Sequence, residues 1–184
     1  MLSSLEFAIQ QSSPKYKHVL EFGVYKGRTL NVLRSQFDKS YQVFGFDSFV
    51  GLPENWEGTC CSKGAFTTNG KIPDIDGVRI YAGWFDETLP EYLKEGQPVS
   101  LLHLDCDLYS ATKTVLESID HLLLKDTVIC CDEWLYRSTD GKLKSDHEQR
   151  AVLEWSSSSG KKIHQYDFVD KTVNGFERKV LRIL

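Results

Sequence analysis

Four carboxylates stand in pairs at two points where an apolar run stops. Asp105 and Asp107 flank Cys106 directly after residues 99–104, and Asp132 and Glu133 directly follow residues 128–131. If the two runs are neighbouring strands, all four acids meet on one rim of a sheet. Carboxylates packed together raise one another's pKa unless a cation screens them, and an oxygen-only donor set suits Mg²⁺ or another hard divalent ion. The alternative is that the acids cap the helices after each strand, where a negative charge near the N-terminus gains about 0.3–1 kcal/mol.

A second chemical signal lies earlier. Glu21-Phe-Gly-Val-Tyr-Lys-Gly27 places two glycines where an apolar run gives way to a helical pattern, so a ligand can approach the backbone and helix amides can face a negative group. Asp47 ends the next apolar run about 20 residues after Gly27, where doubly wound folds place a carboxylate that accepts bonds from ribose hydroxyls. The glycine pattern lacks the close pair of G-x-G-x-x-G that a dinucleotide pyrophosphate needs, which disfavours NAD. Glu21 at the end of the run suits a ligand with a cationic amine, as S-adenosylmethionine has. A plain strand-to-helix turn, with Asp47 as a turn residue, remains the simpler alternative.

The elements that must position these groups alternate. Helical spacing over residues 2–12 precedes an apolar strand at 19–22, a helix from Leu30 that closes near Asp38, and a strand at 41–46. Residues 51–77 are rich in Gly, Pro, Asn and Ser and read as a long surface excursion. With Trp56 and Phe66 it is expected to form a partial lid or a contact between subunits, which leaves a homo-oligomer open. A strand at 78–81, a short helix at 87–94, a buried strand at 99–104, a helix at 112–124 and a strand at 128–131 follow. A polar stretch at 136–145 leads to a helix ending near Trp155, and residues 163–168 and 177–184 predict a hairpin around Asn174-Gly175. This order predicts an α/β, doubly wound, mostly parallel sheet with a C-terminal antiparallel hairpin, in a single domain of residues 1–184.

Composition narrows the partners. Hydrophobic residues at 41% and charged residues at 26% argue for a packed globular chain rather than disorder. A net charge of -4 without a basic run argues against nucleic acid and for a small-molecule partner. The longest apolar run is far short of the roughly 20 residues of a membrane helix, and no export is expected, since the first residues lack a basic-then-apolar pattern. Five cysteines, four of them in the adjacent pairs 60-61 and 130-131, match neither a metal spacing nor a disulfide framework, so reduced thiols and a cytoplasmic location are expected. His103 is expected to be a hydrogen-bonded core histidine, and His147 and Glu148 are expected to be solvated at a helix start.

Taken together, these blocks resemble the macrocin O-methyltransferase type of class I S-adenosylmethionine-dependent methyltransferase. The resemblance is carried by Glu21-Phe-Gly-Val-Tyr-Lys-Gly-Arg-Thr29, Gly45-Phe-Asp-Ser-Phe-Val-Gly-Leu-Pro-Glu54, Gly83-Trp-Phe-Asp-Glu-Thr-Leu-Pro90, Leu104-Asp-Cys-Asp-Leu-Tyr-Ser-Ala-Thr112 and Cys131-Asp-Glu-Trp134, in order along most of the chain. It implies a seven-stranded Rossmann-like sheet with the cofactor across the strand ends. Glu21, Gly23 and Gly27 would line the methionine part and Asp47 would hold the ribose. Trp84 and Phe85 would lie near the adenine, unless they are core, and Phe22, Thr29, Ser48 and Asp105 complete the cofactor set.

The resemblance further implies a divalent ion, Mg²⁺ or similar, on Asp105, Asp132 and Glu133 that holds two substrate oxygens. Asp107 would act as general base on a small hydroxylated acceptor such as a sugar. The family more often has two aspartates and then a tyrosine where this chain has Asp132, Glu133 and Trp134. Two rival readings are a metal-independent methyltransferase acting on nitrogen and a domain that binds the cofactor without turnover.

Overall fold

The computed structural model describes residues 3–167 and 175–184. The first helix, α1 (Ser4–Gln11), starts at Ser3, whose hydroxyl accepts the Glu6 N–H while the Glu6 carboxylate accepts the Ser3 N–H. That reciprocal pairing satisfies two donors a helix start otherwise leaves open. The chain then alternates: β1 (His18–Phe22), α2 (Arg28–Gln36), β2 (Gln42–Asp47), β3 (Val78–Ala82), α3 (Phe85–Tyr92), β4 (Val99–Leu104) and α4 (Tyr109–Ile119). It ends with β5 (Val128–Arg137), β6 (Leu143–Ser145), α5 (His147–Ser159), β7 (Ile163–Gln165) and β8 (Phe176–Ile183).

The sheet order is β3-β2-β1-β4-β5-β8-β7, with the short β6 paired to β5. Neighbours from β3 to β5 are parallel, whereas β8 runs antiparallel to both β5 and β7. This is the doubly wound, mostly parallel architecture that the alternating pattern predicts, closed by antiparallel C-terminal strands. Leu2 and Asn174 lie outside the described residues. Among the described residues no helix is long and apolar enough to cross a membrane, and all five cysteines are free thiols.

The strands are apolar on both faces because helices cover both faces. Leu20, Phe22, Phe44, Phe46, Leu102 and Leu104 point to one side, against Leu89 and Tyr92 of α3 and Val115 and Leu116 of α4. The alternate residues Val19, Val43, Leu101 and Val128 point to the other, against Leu5 of α1 and Leu30 and Leu33 of α2. Each such side chain, fully buried, contributes about 1.5–3 kcal/mol before ordering costs.

Two elements differ from expectation in ways that matter for the site. The fifth strand does not stop at Cys131: β8 supplies a partner for its continuation, and the pairing skips from Cys131 to Leu135 through a bulge. The bulge holds Asp132, Glu133 and Trp134, and such bulges turn adjacent side chains to different surroundings. The 51–77 excursion lacks helix and strand but is tied down, with Leu52 N–H donating to Ala65 and Trp56 N–H to Cys61. Trp56 is buried and its indole N–H donates to Ser145 Oγ. At Gly58, with φ +84°, an added Cβ would lie 1.8 Å from the Lys144 carbonyl oxygen, so only glycine lets the excursion pass so close to β6.

Candidate active site

The chain reverses its winding direction between β1 and β4, the position at which open α/β sheets form a crevice beyond the strand ends. β1 is held there to β4 and, on its other side, to β2 by close backbone approach. Asp105 N–H donates to Phe22 O at 2.9 Å, and Gly23 N–H donates to Phe46 O at 2.9 Å. Gly23 has φ +95°, and a Cβ on it would fall 1.7 Å from the Asp105 carbonyl oxygen. This glycine is therefore required by both conformation and space.

Asp47 braces the turn above. Its Oδ2 accepts the N–H groups of Val24 (2.9 Å) and Tyr25 (2.7 Å), and its Oδ1 accepts that of Phe49 (2.7 Å). Gly27, with φ +76°, then opens α2.

Above these turns lies a cavity of about 720 Å³, within the range for a cofactor and small ligand. Of the cofactor residues expected from sequence, Gly23, Asp47, Ser48, Trp84, Phe85 and Asp105 line it. Glu21, Phe22, Gly27 and Thr29 do not. Phe22 is core, stacked on Phe46 at 4.4 Å and meeting Phe85 edge-on at 5.2 Å. Glu21 is fully buried, its Oε1 accepting from Thr29 Oγ1 (2.9 Å) and its Oε2 facing His103 Nδ1 (3.1 Å). The Glu21 carboxylate thus lies beneath the turn, engaged within the protein, rather than on the cavity wall.

His103 links this pair to the acid rim. It is buried, as expected, but it sits between two carboxylates: Nδ1 faces Glu21, and Nε2 lies 3.9 Å from Asp132 Oδ1. Burial opposes its charge, yet the adjacent Asp132 and Glu21 outweigh this and hold its pKa well above the ordinary value. Asp132 in turn accepts Arg178 Nε at 2.6 Å and its NH2 group at 3.0 Å. Although burial alone would raise the Asp132 pKa, His103 and Arg178 bring it far below the usual carboxylate range.

The remaining acids behave in the opposite way. Asp105, Asp107 and Glu133 each bring one carboxylate oxygen within 4.8 Å of the others, and all three line the cavity. Burial first, then the charge of Asp132, raises Asp105 well above the usual range and pushes Asp107 up to about 7. Burial, with Asp105 and Glu148 beside it, also raises Glu133. Glu133 Oε2 is a buried oxygen without a hydrogen-bond partner among the described residues. Repelling oxygen donors, one of them orphaned, are the environment a hard divalent cation stabilises, and the group fits such an ion.

The set that converges is therefore Asp105, Asp107 and Glu133. Asp132, expected beside them, is turned by the bulge into its pairing with Arg178. The sequence carried no sign of this, since Arg178 is 46 residues away.

Other expectations also change. Glu148 is not solvated but fully buried, its Oε2 accepting the Glu133 N–H at 3.0 Å, so α5 anchors the backbone of the acid rim. Trp56 and Phe66 of the excursion both line the cavity. Tyr25, Ser110 and Phe176 line it without having been singled out. Phe176 gave no local signal because only the pairing of β8 on β5 brings it there.

A Rossmann-like sheet with a glycine turn and a deep cavity across its switch point defines the class I methyltransferase architecture. A family model described as a methyltransferase domain matches residues 20–134, and the chain belongs to that family. It is an S-adenosylmethionine-dependent methyltransferase. No match is found among curated protein sequences.

Among solved structures it is similar to CalS11, a calicheamicin methyltransferase, with 21% identity over 97% of this chain and 77% of that one and a TM-score of 0.74. The O-methyltransferase NovP (18% identity, 97% and 78% covered, TM-score 0.62) and an O-methyltransferase from Bacillus cereus in complex with SAH (14%, 98% and 78%, 0.62) share the fold.

Proposed function

We propose that the protein transfers the methyl group of S-adenosylmethionine to a hydroxyl of a small acceptor, assisted by a divalent cation. The observation that carries this reading is Asp107: a carboxylate raised to about 7, in the cavity, within reach of Asp105 and Glu133. A base with a pKa near neutral combines a useful ionised fraction with real proton affinity. The names of the structural neighbours, O-methyltransferases of natural-product sugars among them, support oxygen as the methylated atom. The finer likeness to the macrocin type rests on the sequence blocks alone.

Gly23, Asp47, Ser48, Trp84, Phe85 and Asp105, which line the cavity, would hold the cofactor. S-Adenosylmethionine supplies an electrophilic methyl carbon. Asp105 and Glu133 would hold a divalent cation, which would supply positive charge that favours ionisation of the acceptor hydroxyl. Asp107 takes the hydroxyl proton as the oxygen attacks the methyl carbon; the methyl–sulfur bond breaks, its electron pair stays on sulfur, and S-adenosylhomocysteine leaves. Trp56, Phe66 and Phe176 exclude water from the acceptor side.

Turnover of vicinal diols and simple glycosides with S-adenosylmethionine, with Mg²⁺ and with a chelator, tests the proposal. Methylated oxygen that depends on the metal is expected. Turnover indifferent to chelation removes the cation, and methylation of amines alone removes the oxygen chemistry.

A further inference from the structure

Resting on the reading of this cavity as the site of methyl transfer, we infer that its acceptor is a hydroxylated ring free of phosphate, sulfate and carboxylate groups, with uncharged and amine-bearing rings preferred. The inference comes from the charge of the walls. Asp47, Asp86, Asp105, Asp107 and Glu133 line the cavity, and among the described residues no Lys, Arg or His lines it. Two guanidinium groups outside it are engaged: that of Arg178 binds Asp132, and that of Arg150 lies 4.1 Å from the Tyr109 ring centre.

Anions are also bound by helix N-termini, and two helices open toward the cavity. α3 carries Asp86 and Glu87 in its first turn. α4 is preceded by Asp107, and Ser110 in its first turn donates its hydroxyl to Glu54 at 2.6 Å. Each positive helix end already faces carboxylates. A divalent ion on Asp105 and Glu133 would cancel their charge and, with Asp47 given to the cofactor, leave the Asp107 carboxylate facing the acceptor.

The rest of the wall is apolar and aromatic. Trp56 and Phe176 have ring centres 5.4 Å apart, and Tyr136 stacks on Phe176 at 4.4 Å. Leu52 and Pro53 add aliphatic surface. Such walls take the face of a ring, and the acids take its hydroxyls or an amine. A TDP-linked sugar, the acceptor named for CalS11, carries a diphosphate for which the described residues of these walls offer no cationic side chain.

A matched panel of vicinal diols tests this: dopamine, catechol and 3,4-dihydroxybenzoate, with methyl rhamnoside beside TDP-rhamnose. The measurements are kcat/KM with S-adenosylmethionine and Mg²⁺, and Kd for the adenosylhomocysteine complex. Dopamine and catechol should exceed the benzoate by about tenfold or more, with the gap narrowing in about 0.5 M salt. Methyl rhamnoside should exceed TDP-rhamnose. Thr114→Lys, which places a cation on the cavity wall, should raise the benzoate relative to catechol by about threefold to tenfold.

Preference for the benzoate or for TDP-rhamnose overturns the inference. If no panel member is methylated, the proposed function fails, and the order of Kd values still decides the charge preference. Anions binding tightest, or no discrimination among the five, overturns it.

Discussion

Two adjacent residues of β5 live under opposite rules. Asp132 has every oxygen engaged, by Arg178 and by the neighbouring His103, and its pKa falls. Glu133 keeps a buried oxygen without a partner among the described residues, and its pKa rises. The same division separates the two rims of the crevice. On the β1 and β2 side, Glu21 and Asp47 are satisfied by Thr29, His103 and three backbone N–H groups. On the β4 and β5 side, Asp105, Asp107 and Glu133 repel one another. Satisfied carboxylates hold the protein in shape, whereas frustrated ones are poised to bind a cation or move a proton.

The largest test of that division is Asp107→Asn. Removing the base should lower methyl transfer by about 10²- to 10⁴-fold. Adenosylhomocysteine affinity and melting temperature should hold or rise, since a repelled charge is lost and Asn tolerates the φ of +64° at this position. A marked drop in melting temperature would place Asp107 on the structural side instead.

Glu21→Ala should do the reverse. It leaves His103 buried without its Nδ1 partner and should cost about 3–5 kcal/mol in urea unfolding, the usual scale for breaking a buried pair.

Arg178→Met should cost less, about 1–3 kcal/mol, because Asp132 is partly exposed and keeps His103. Glu133→Gln should be neutral or stabilising in the same unfolding assay. If the two variants lose stability equally, the contrast between neighbours in β5 is wrong.

The smallest effect is in pH. An acid whose pKa is raised on folding binds more protons in the folded state, so stability falls as pH rises from the unfolded value of about 3.9 to the folded value. For Asp107 that window closes at about 7. Asp132 has the opposite sign: its contribution is full above about 3.9 and is lost as pH falls toward its depressed folded value. Mg²⁺ should therefore raise the melting temperature at pH 8 by about 2–4 °C more than at pH 5, read by scanning fluorimetry. Equal shifts at both values would count against a cation on the frustrated rim.

Much of this was legible along the chain. The alternation of apolar runs with helical spacing determined a parallel sheet covered on both faces, because hydrophobic period is a local property of neighbouring residues. Gly23, the acids after β4 and the acids within β5 were visible for the same reason: they end apolar runs. What the chain could not reveal was the direction of each side chain at those ends. Asp132 and Glu133 differ only because β8 pairs with β5 across a bulge, bringing Arg178 to one and leaving the other to the cavity. Glu21, at the end of β1, points to His103 because β1 and β4 pair Glu21 with His103 in register. Which carboxylates are satisfied depends on partners up to 82 residues apart, and such partnerships exist only once the sheet has closed.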